Sequence, residues 1–169
     1  MKLFTGILFL FIFQISYSQK LKKYEDSKNN FIISLPNNWK IKKFKDQNIK
    51  LYSTFKDKKN IIASMQIEIY DFEKNDINAL FSTVIKNVGY GLKELMDKDE
   101  IDIGENHYYT IKSRNIRNKG SEIISKSLNY FNILNGKGII LTFIVENEND
   151  YEKFELQFLE MVSSFEIKI

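Results

Sequence analysis

The chain has 169 residues, 43% of them hydrophobic, with 25 lysines and arginines against 22 acidic residues and a formal net charge of +3. That balance excludes a general electrostatic attraction to nucleic acid or to an anionic membrane, so nucleic acid is not an expected partner. The sequence has no cysteine, which excludes disulfides, thiolate nucleophiles and a lipidated N-terminal cysteine, and leaves stability to packing.

Residues 1–18 carry Lys2 ahead of an apolar run from Leu3 to Ile15, followed by Ser16-Tyr17-Ser18. A short basic start, an apolar stretch and small residues at the cleavage site predict a secretory signal peptide, with Gln19 as first mature residue. The rival reading is a retained anchor, but a spanning helix needs about 20 apolar residues and this run has thirteen. Removing residues 1–18, with Lys2, leaves 151 residues of net charge +2. No later apolar run is long enough to span a membrane. The expectation is a periplasmic or secreted protein of one conventional domain.

Residues 19–30 are polar and lack periodicity, which predicts a flexible leader before a single domain over 31–169. Phe31, Ile33 and Leu35 alternate as a strand that ends at Pro36, the only proline, because proline donates nothing to a sheet ladder. Asn37-Asn38 suit a turn. Trp39, the only tryptophan, shares an extended pattern with Ile41, while Lys40 and Lys42 point to the opposite side. Pro36 and Trp39 are therefore expected to be structural, closing the first corner of the domain. A third strand is expected over Ile49–Phe55, and residues 56–60 form a charged turn. Ile61, Ala63, Met65, Ile67 and Ile69 then alternate with Ser64, Gln66 and Glu68, the pattern of a half-buried strand.

From Asn75 or Asp76 the period changes. Ile77, Leu80, Phe81, Val84, Ile85, Val88, Leu92, Leu95 and Met96 follow helical spacing and predict a helix over 76–97, weakened by Gly89 and Gly91. Strands are expected over 101–103, 107–114 and 122–134. Residues 135–138, Asn-Gly-Lys-Gly, signal a hairpin into residues 139–145, which are apolar on both faces as in a central covered strand. Tyr151, Phe154, Phe158, Met161 or Val162, and Phe165 form the stripe of a final helix, and the tail is expected to add a short extended segment.

This order, with Phe31-x-Ile33-Ser34-x-Pro36-x-x-Trp39 at one end, Gly136-Lys137 before Ile140-Leu141-Thr142-Phe143, and Ser164-Phe165-x-Ile167 at the other, resembles the PsbP-like family over residues 31–167. The family takes its name from extrinsic subunits of the photosynthetic oxygen-evolving complex and has non-photosynthetic bacterial relatives. The resemblance implies an α+β fold, an antiparallel sheet with helices packed on both faces in an α/β/α sandwich. It implies no common activity.

Catalytic patterns are missing: G-x-S-x-G, H-E-x-x-H, Walker A and G-x-G-x-x-G do not occur. The only histidine is His107. If residues 105–109 are extended, Glu105, His107 and Tyr109 share a face, and an acidic loop at 97–102 supplies Asp102 nearby. Asp102, Glu105 and His107 are thus candidate ligands for a zinc or manganese ion. The plainer reading is a solvated acidic turn beside a surface histidine, with no cofactor. Lysines 40, 42, 43, 45, 50, 56, 58 and 59, against Asp46 and Asp57, make a second concentration of charge. Lys40 and Lys42 are candidates for contact with an acidic partner, although outward lysines also deter edge-to-edge strand pairing. The resulting expectation is a non-catalytic extracytoplasmic binding or accessory domain for a protein, an envelope component or a small apolar ligand. The alternative is a metal-assisted hydrolase using residues 97–107.

Overall fold

The computed structural model describes residues 20–42, 48–72, 76–87, 92–116 and 124–168. The signal-peptide reading lies outside them. Within them the strands are β1 (Leu21–Asp26), β2 (Phe31–Pro36), β3 (Lys40–Lys42), β4 (Ile49–Asp57), β5 (Asn60–Asp71), β6 (Leu92–Ile103), β7 (Asn106–Ile116), β8 (Ile124–Leu134), β9 (Lys137–Val145) and β10 (Glu166–Ile167). Helix α1 (Ile77–Asn87) follows β5, and α2 (Tyr151–Ser163) follows β9 through a 3-10 turn. A three-stranded sheet runs β1-β2-β10 and a seven-stranded sheet runs β3-β4-β5-β9-β8-β7-β6. Among the described residues every strand pairing is antiparallel.

The hairpin between β8 and β9 shows how local chemistry sets register. Asn135 and Gly136 both have positive φ, 53° and 73°, the geometry of a two-residue turn that matches strand twist. The ladder then pairs Leu134 with Lys137 and continues to Lys126 opposite Val145. Strand β9 lies between β5 and β8 and is buried along both faces, as its apolar run predicts. Gly138 is needed for packing: a Cβ there would come within 2.8 Å of Phe72 and 2.9 Å of Leu80.

Opposed residues of an antiparallel pair share a face, so the register sorts the core. Met65, Phe143 and Leu128 line one face, and against them α2 lays Phe154, Phe158, Met161 and Val162. The same cluster holds Phe31, Ile33 and Leu35 of the small sheet. On the other face Leu80 of α1 joins Ile111, Phe131 and Ile140 in a smaller cluster. Asp76 caps α1 by accepting hydrogen bonds from the backbone N–H groups of Asn78 and Ala79.

Four expectations need correction. Residues 21–26, expected in a flexible leader, form β1. An edge strand needs only one anchor, here Tyr24 with its ring 6.1 Å from Phe31, so its polar composition reads like a loop. The helix expected over 76–97 is α1 alone: Val88, Gly89 and Gly91 lie outside the described residues, and Leu92, Leu95 and Met96 belong to β6. Pairing with β7 outweighs a fortuitous helical spacing there. Residues 97–102 are consequently ladder, not loop. Finally, β5 is buried on both faces, with Ser64 and Glu68 only 4% and 5% exposed. Gln66 Nε2 donates to Glu68 at 2.7 Å, and Tyr70 donates to the same carboxylate. The fold is thus a mostly antiparallel sheet with two helices, and its helical share is smaller than expected.

Trp39 leaves the small sheet and enters the large one. Its N–H closes the corner on the Pro36 carbonyl at 2.9 Å. The indole is 6% exposed, 6.3 Å from Phe158 and 6.5 Å from Phe55, and its Nε1 donates to Gln157. Ile41 lies on the same side but is 47% exposed, because β3 is the terminal strand. We expect Trp39→Ala to cost about 3–5 kcal/mol, the range for large aromatic truncations in a packed core. Urea unfolding followed by far-ultraviolet circular dichroism measures it, and an unmoved midpoint would show that the indole carries little of the packing.

Candidate functional site

The hairpin β6–β7 decides where the candidate ligands fall. Asp102 opposes His107 in the ladder. Asp102 Oδ1 lies 2.6 Å from His107 Nδ1, and Glu100 Oε2 lies 3.3 Å from Nε2. The Tyr109 ring meets the imidazole edge-on at 5.2 Å. Glu105 stands exposed in the tight turn with Gly104, whose φ is +62°. The structure therefore brings His107 to Asp102 and Glu100. Among the described residues no three of His, Cys, Asp or Glu are grouped to hold a metal ion.

The imidazole sits between two carboxylates. The hydrogen bond to Asp102 raises its pKa above the ordinary 6.5, partial desolvation opposes this, and the charges of Asp102 and Glu100 add to the rise. A folded-state pKa raised above the unfolded one stabilises the fold below the unfolded value, and that stabilisation disappears as pH climbs through the folded value. Nuclear magnetic resonance titration should give a His107 pKa above 6.5, returning toward it in Asp102→Asn. The stability gap between wild type and His107→Ala should close as pH rises through the folded value. A wild-type pKa at or below 6.5 would contradict the ion-paired geometry.

Lys40 and Lys42 are exposed on β3, opposite Thr54 and Tyr52, with Lys42 Nζ 6.0 Å from the Tyr52 ring. A terminal strand studded with lysine fits protection against edge pairing. Within the wider lysine concentration Lys42 and Lys50 line one recess of about 260 Å³ with Tyr24, Ile41 and Tyr52. Lys43 and Lys45 lie outside the described residues, Lys58 and Lys59 form the β4–β5 turn, and Lys50 also borders a second cavity. That cavity, about 350 Å³, also holds Lys28, Lys137, Lys168 and Asp71. Much of its charge is paired: Lys137 donates to Asp71, holding that carboxyl below its usual range, and Lys168 meets Glu25 at 2.6 Å. A third recess of about 310 Å³ lies beside Pro36, Trp39 and Ile41.

The largest recess among those described is a cleft of about 440 Å³ between α2 and strands β6, β7 and β8. Leu128, Tyr130 and Leu159 give it an apolar lining. Asp97 and Asp99 border it from β6, and Glu152 and Glu155 from α2. Lys112 is the one basic side chain among its described lining residues, 3.6 Å from Glu155. Ile101 and Leu156, 36% and 67% exposed, stand at its lip. Burial, reinforced by Glu155, pushes the Tyr130 phenol up to about 12, so it stays neutral and able to donate. The arrangement can accept an apolar group and a positive charge together.

Sequence reasoning missed this cleft. Asp97, Asp99 and Ile101 have the spacing of one strand face, but assigning residues 76–97 to a helix concealed it. Leu156 falls off the apolar stripe of α2, and that is the signal that could have marked a surface contact.

The family model for PsbP matches residues 19–167. The fold is similar to the solution structure of cyanobacterial PsbP (CyanoP) from Synechocystis sp. PCC 6803, with a TM-score of 0.63 and 16% identity over 89% of this chain and 94% of that one. It is also similar to the Ran-binding protein Mog1p of Saccharomyces cerevisiae, TM-score 0.62 and 11% identity over 89% and 96% of the two chains. A third likeness is to LpqN of Mycobacterium tuberculosis, described as involved in cell envelope biogenesis, TM-score 0.56 and 7% identity over 89% and 91%. A comparison with curated protein sequences finds no match. At these identities the solved structures speak for the fold, and the family model, spanning both sheets and both helices, places this chain in the PsbP family.

Proposed function

We propose that this protein is a non-catalytic extracytoplasmic binding or accessory domain whose working surface is the cleft between α2 and β6. The cleft carries the reading: it joins apolar lining to a carboxylate rim and includes neither histidine nor cysteine among its described lining residues. Ligand sites combine an apolar lining with a few charged groups in this way. The similar folds include a Ran-binding protein and one involved in cell envelope biogenesis, which supports a binding role. We read α1 against Phe131 and Ile140 as the second helical layer of an α/β/α sandwich, leaving the α2 face for the ligand. Metal-assisted hydrolysis draws less support, since His107 is engaged by Asp102 and, among the described residues, no three such side chains are grouped to hold a metal ion. No helix among the described residues is long and apolar enough to cross a membrane.

Export follows from the apolar run and the small residues before Gln19. Intact mass of protein recovered from the periplasm or medium should correspond to a chain beginning at Gln19, and a species retaining Leu3 to Ile15 would defeat that reading.

The binding role is tested by capture from envelope extract with wild type and Leu156→Arg, which places a long side chain at the lip. Wild type should retain material that Leu156→Arg loses, at equal thermal stability. Equal capture by both would move the working surface away from the cleft.

A further inference from the structure

We infer that the cleft receives an extended segment of a partner protein, added as a strand to the outer edge of β6, with basic side chains at alternate positions and an apolar one beside them. This rests on the cleft being the working surface. Strand β6 ends the seven-stranded sheet, and among the described residues no strand pairs with its outer side. It is twelve residues long, and beyond an irregularity between Leu95 and Asp97 it runs in unbroken register from Asp97 to Ile103, the length of an ordinary strand. A row of unpaired backbone donors and acceptors beside a pocket is the arrangement used for strand addition, where main-chain bonds supply affinity and alternate pockets supply selectivity.

Register identifies the side chains that an added strand would meet. Asp97, Asp99 and Ile101 oppose Lys112, Thr110 and Tyr108, so they share the α2 face. A strand laid against them would place successive same-face residues beside two carboxylates and then beside Ile101 and the exposed Leu156. Glu152 and Glu155 of α2 add negative charge across the cleft, and Lys112 offsets only part of it. On the reverse face Glu100 and Asp102 flank His107, and Lys98 lies over the Phe81 ring, so the acidic excess is greatest on the α2 face. Carboxylates in excess at such a rim favour lysine or arginine and steer its approach.

A second copy of this chain fits poorly. Pairing β6 with another β6 would gather Asp97, Asp99, Glu100 and Asp102 of both copies along one seam, where Lys98 offsets only part of the like charge. Strand β3 has suitable chemistry in Lys40-Ile41-Lys42, but its described part is three residues against the twelve of β6. A separate protein is the better occupant.

The probe is an acetylated, amidated, fluorescein-labelled peptide of about nine residues with Val-Thr-Lys-Thr-Lys at its centre, titrated by anisotropy against the mature chain. It should bind, and binding should weaken with salt. Asp97→Asn/Asp99→Asn, at an unchanged thermal midpoint, should weaken it about tenfold. A peptide with glutamate for both lysines, or with its backbone amides N-methylated at alternate positions facing β6, should not bind. Equal binding of the glutamate peptide would overturn the charge argument, and equal binding of both N-methylated registers would overturn strand addition. Sedimentation showing self-association that Lys40→Glu/Lys42→Glu abolishes would make a second copy the occupant. If the probe fails while Leu156→Arg still loses captured material, this inference falls and the cleft remains a binding site. If neither responds, both readings fall.

Discussion

Everything in this molecule hangs on the docking of α2 against the sheet. Phe158 lies 4.6 Å from Phe143 of the central strand β9, and it also meets Trp39, Tyr151 and Phe154 within about 6.5 Å. Aromatic contacts of this kind contribute about 0.5–1.5 kcal/mol each beyond the area they bury. The same helix leads into Phe165, whose ring is 5.9 Å from Phe31, so one aromatic cluster ties the small sheet to the large one. With no disulfide available, this packing is what holds the two sheets together.

The two faces of the large sheet are built differently. The α2 face is filled by large apolar side chains, whereas the other mixes a small apolar cluster with a polar belt. In that belt Ser113 and Ser127 share a hydrogen bond of 2.6 Å, and Thr142 donates to Asn129, whose amide donates to the Ile111 carbonyl. Buried hydroxyls and amides carry a high desolvation cost unless paired, and here neighbouring strands supply the partners at fixed register. The polar belt therefore resists strand slippage, because a one-residue shift would separate every pair.

Helix α2 also creates the cleft. Its buried stripe, Tyr151, Phe154, Phe158 and Val162, turns Glu152, Glu155 and Leu156 outward. Strands β6 and β7 extend beyond the helix, so the sheet is wider than its cover. The uncovered margin leaves Ile101 partly exposed and sets Asp97 and Asp99 beside the α2 carboxylates. A recess, a charge pattern and a sheet edge thus arise from one mismatch between helix and sheet width. On the reverse side the same hairpin brings His107 to Asp102 and Glu100, giving that margin a proton-sensitive group.

Much of the fold was legible in local patterns because their physics is local. Asn135-Gly136 specifies its turn through backbone conformation, the alternation from Ile61 to Ile69 specifies a strand face, and the stripe from Tyr151 to Phe165 specifies a packed helix. Trp39 as a core residue follows from the corner at Pro36. Patterns that depend on distant partners were not legible. The polar segment from Leu21 to Asp26 becomes a strand because β2 is there to pair with it, and Leu92 to Ile103 is held extended by β7 against its own helical spacing. The burial of Glu68 depends on the flanking strands β4 and β9. By itself the sequence determined the family resemblance, the central strand, the closing helix and the absence of familiar catalytic motifs. Only the tertiary structure decided that residues 97–102 form an edge strand and that Asp97 and Asp99 line one cleft with Glu152 and Glu155 of α2, because the side chains of a cleft come together through long-range pairing and no local period records it.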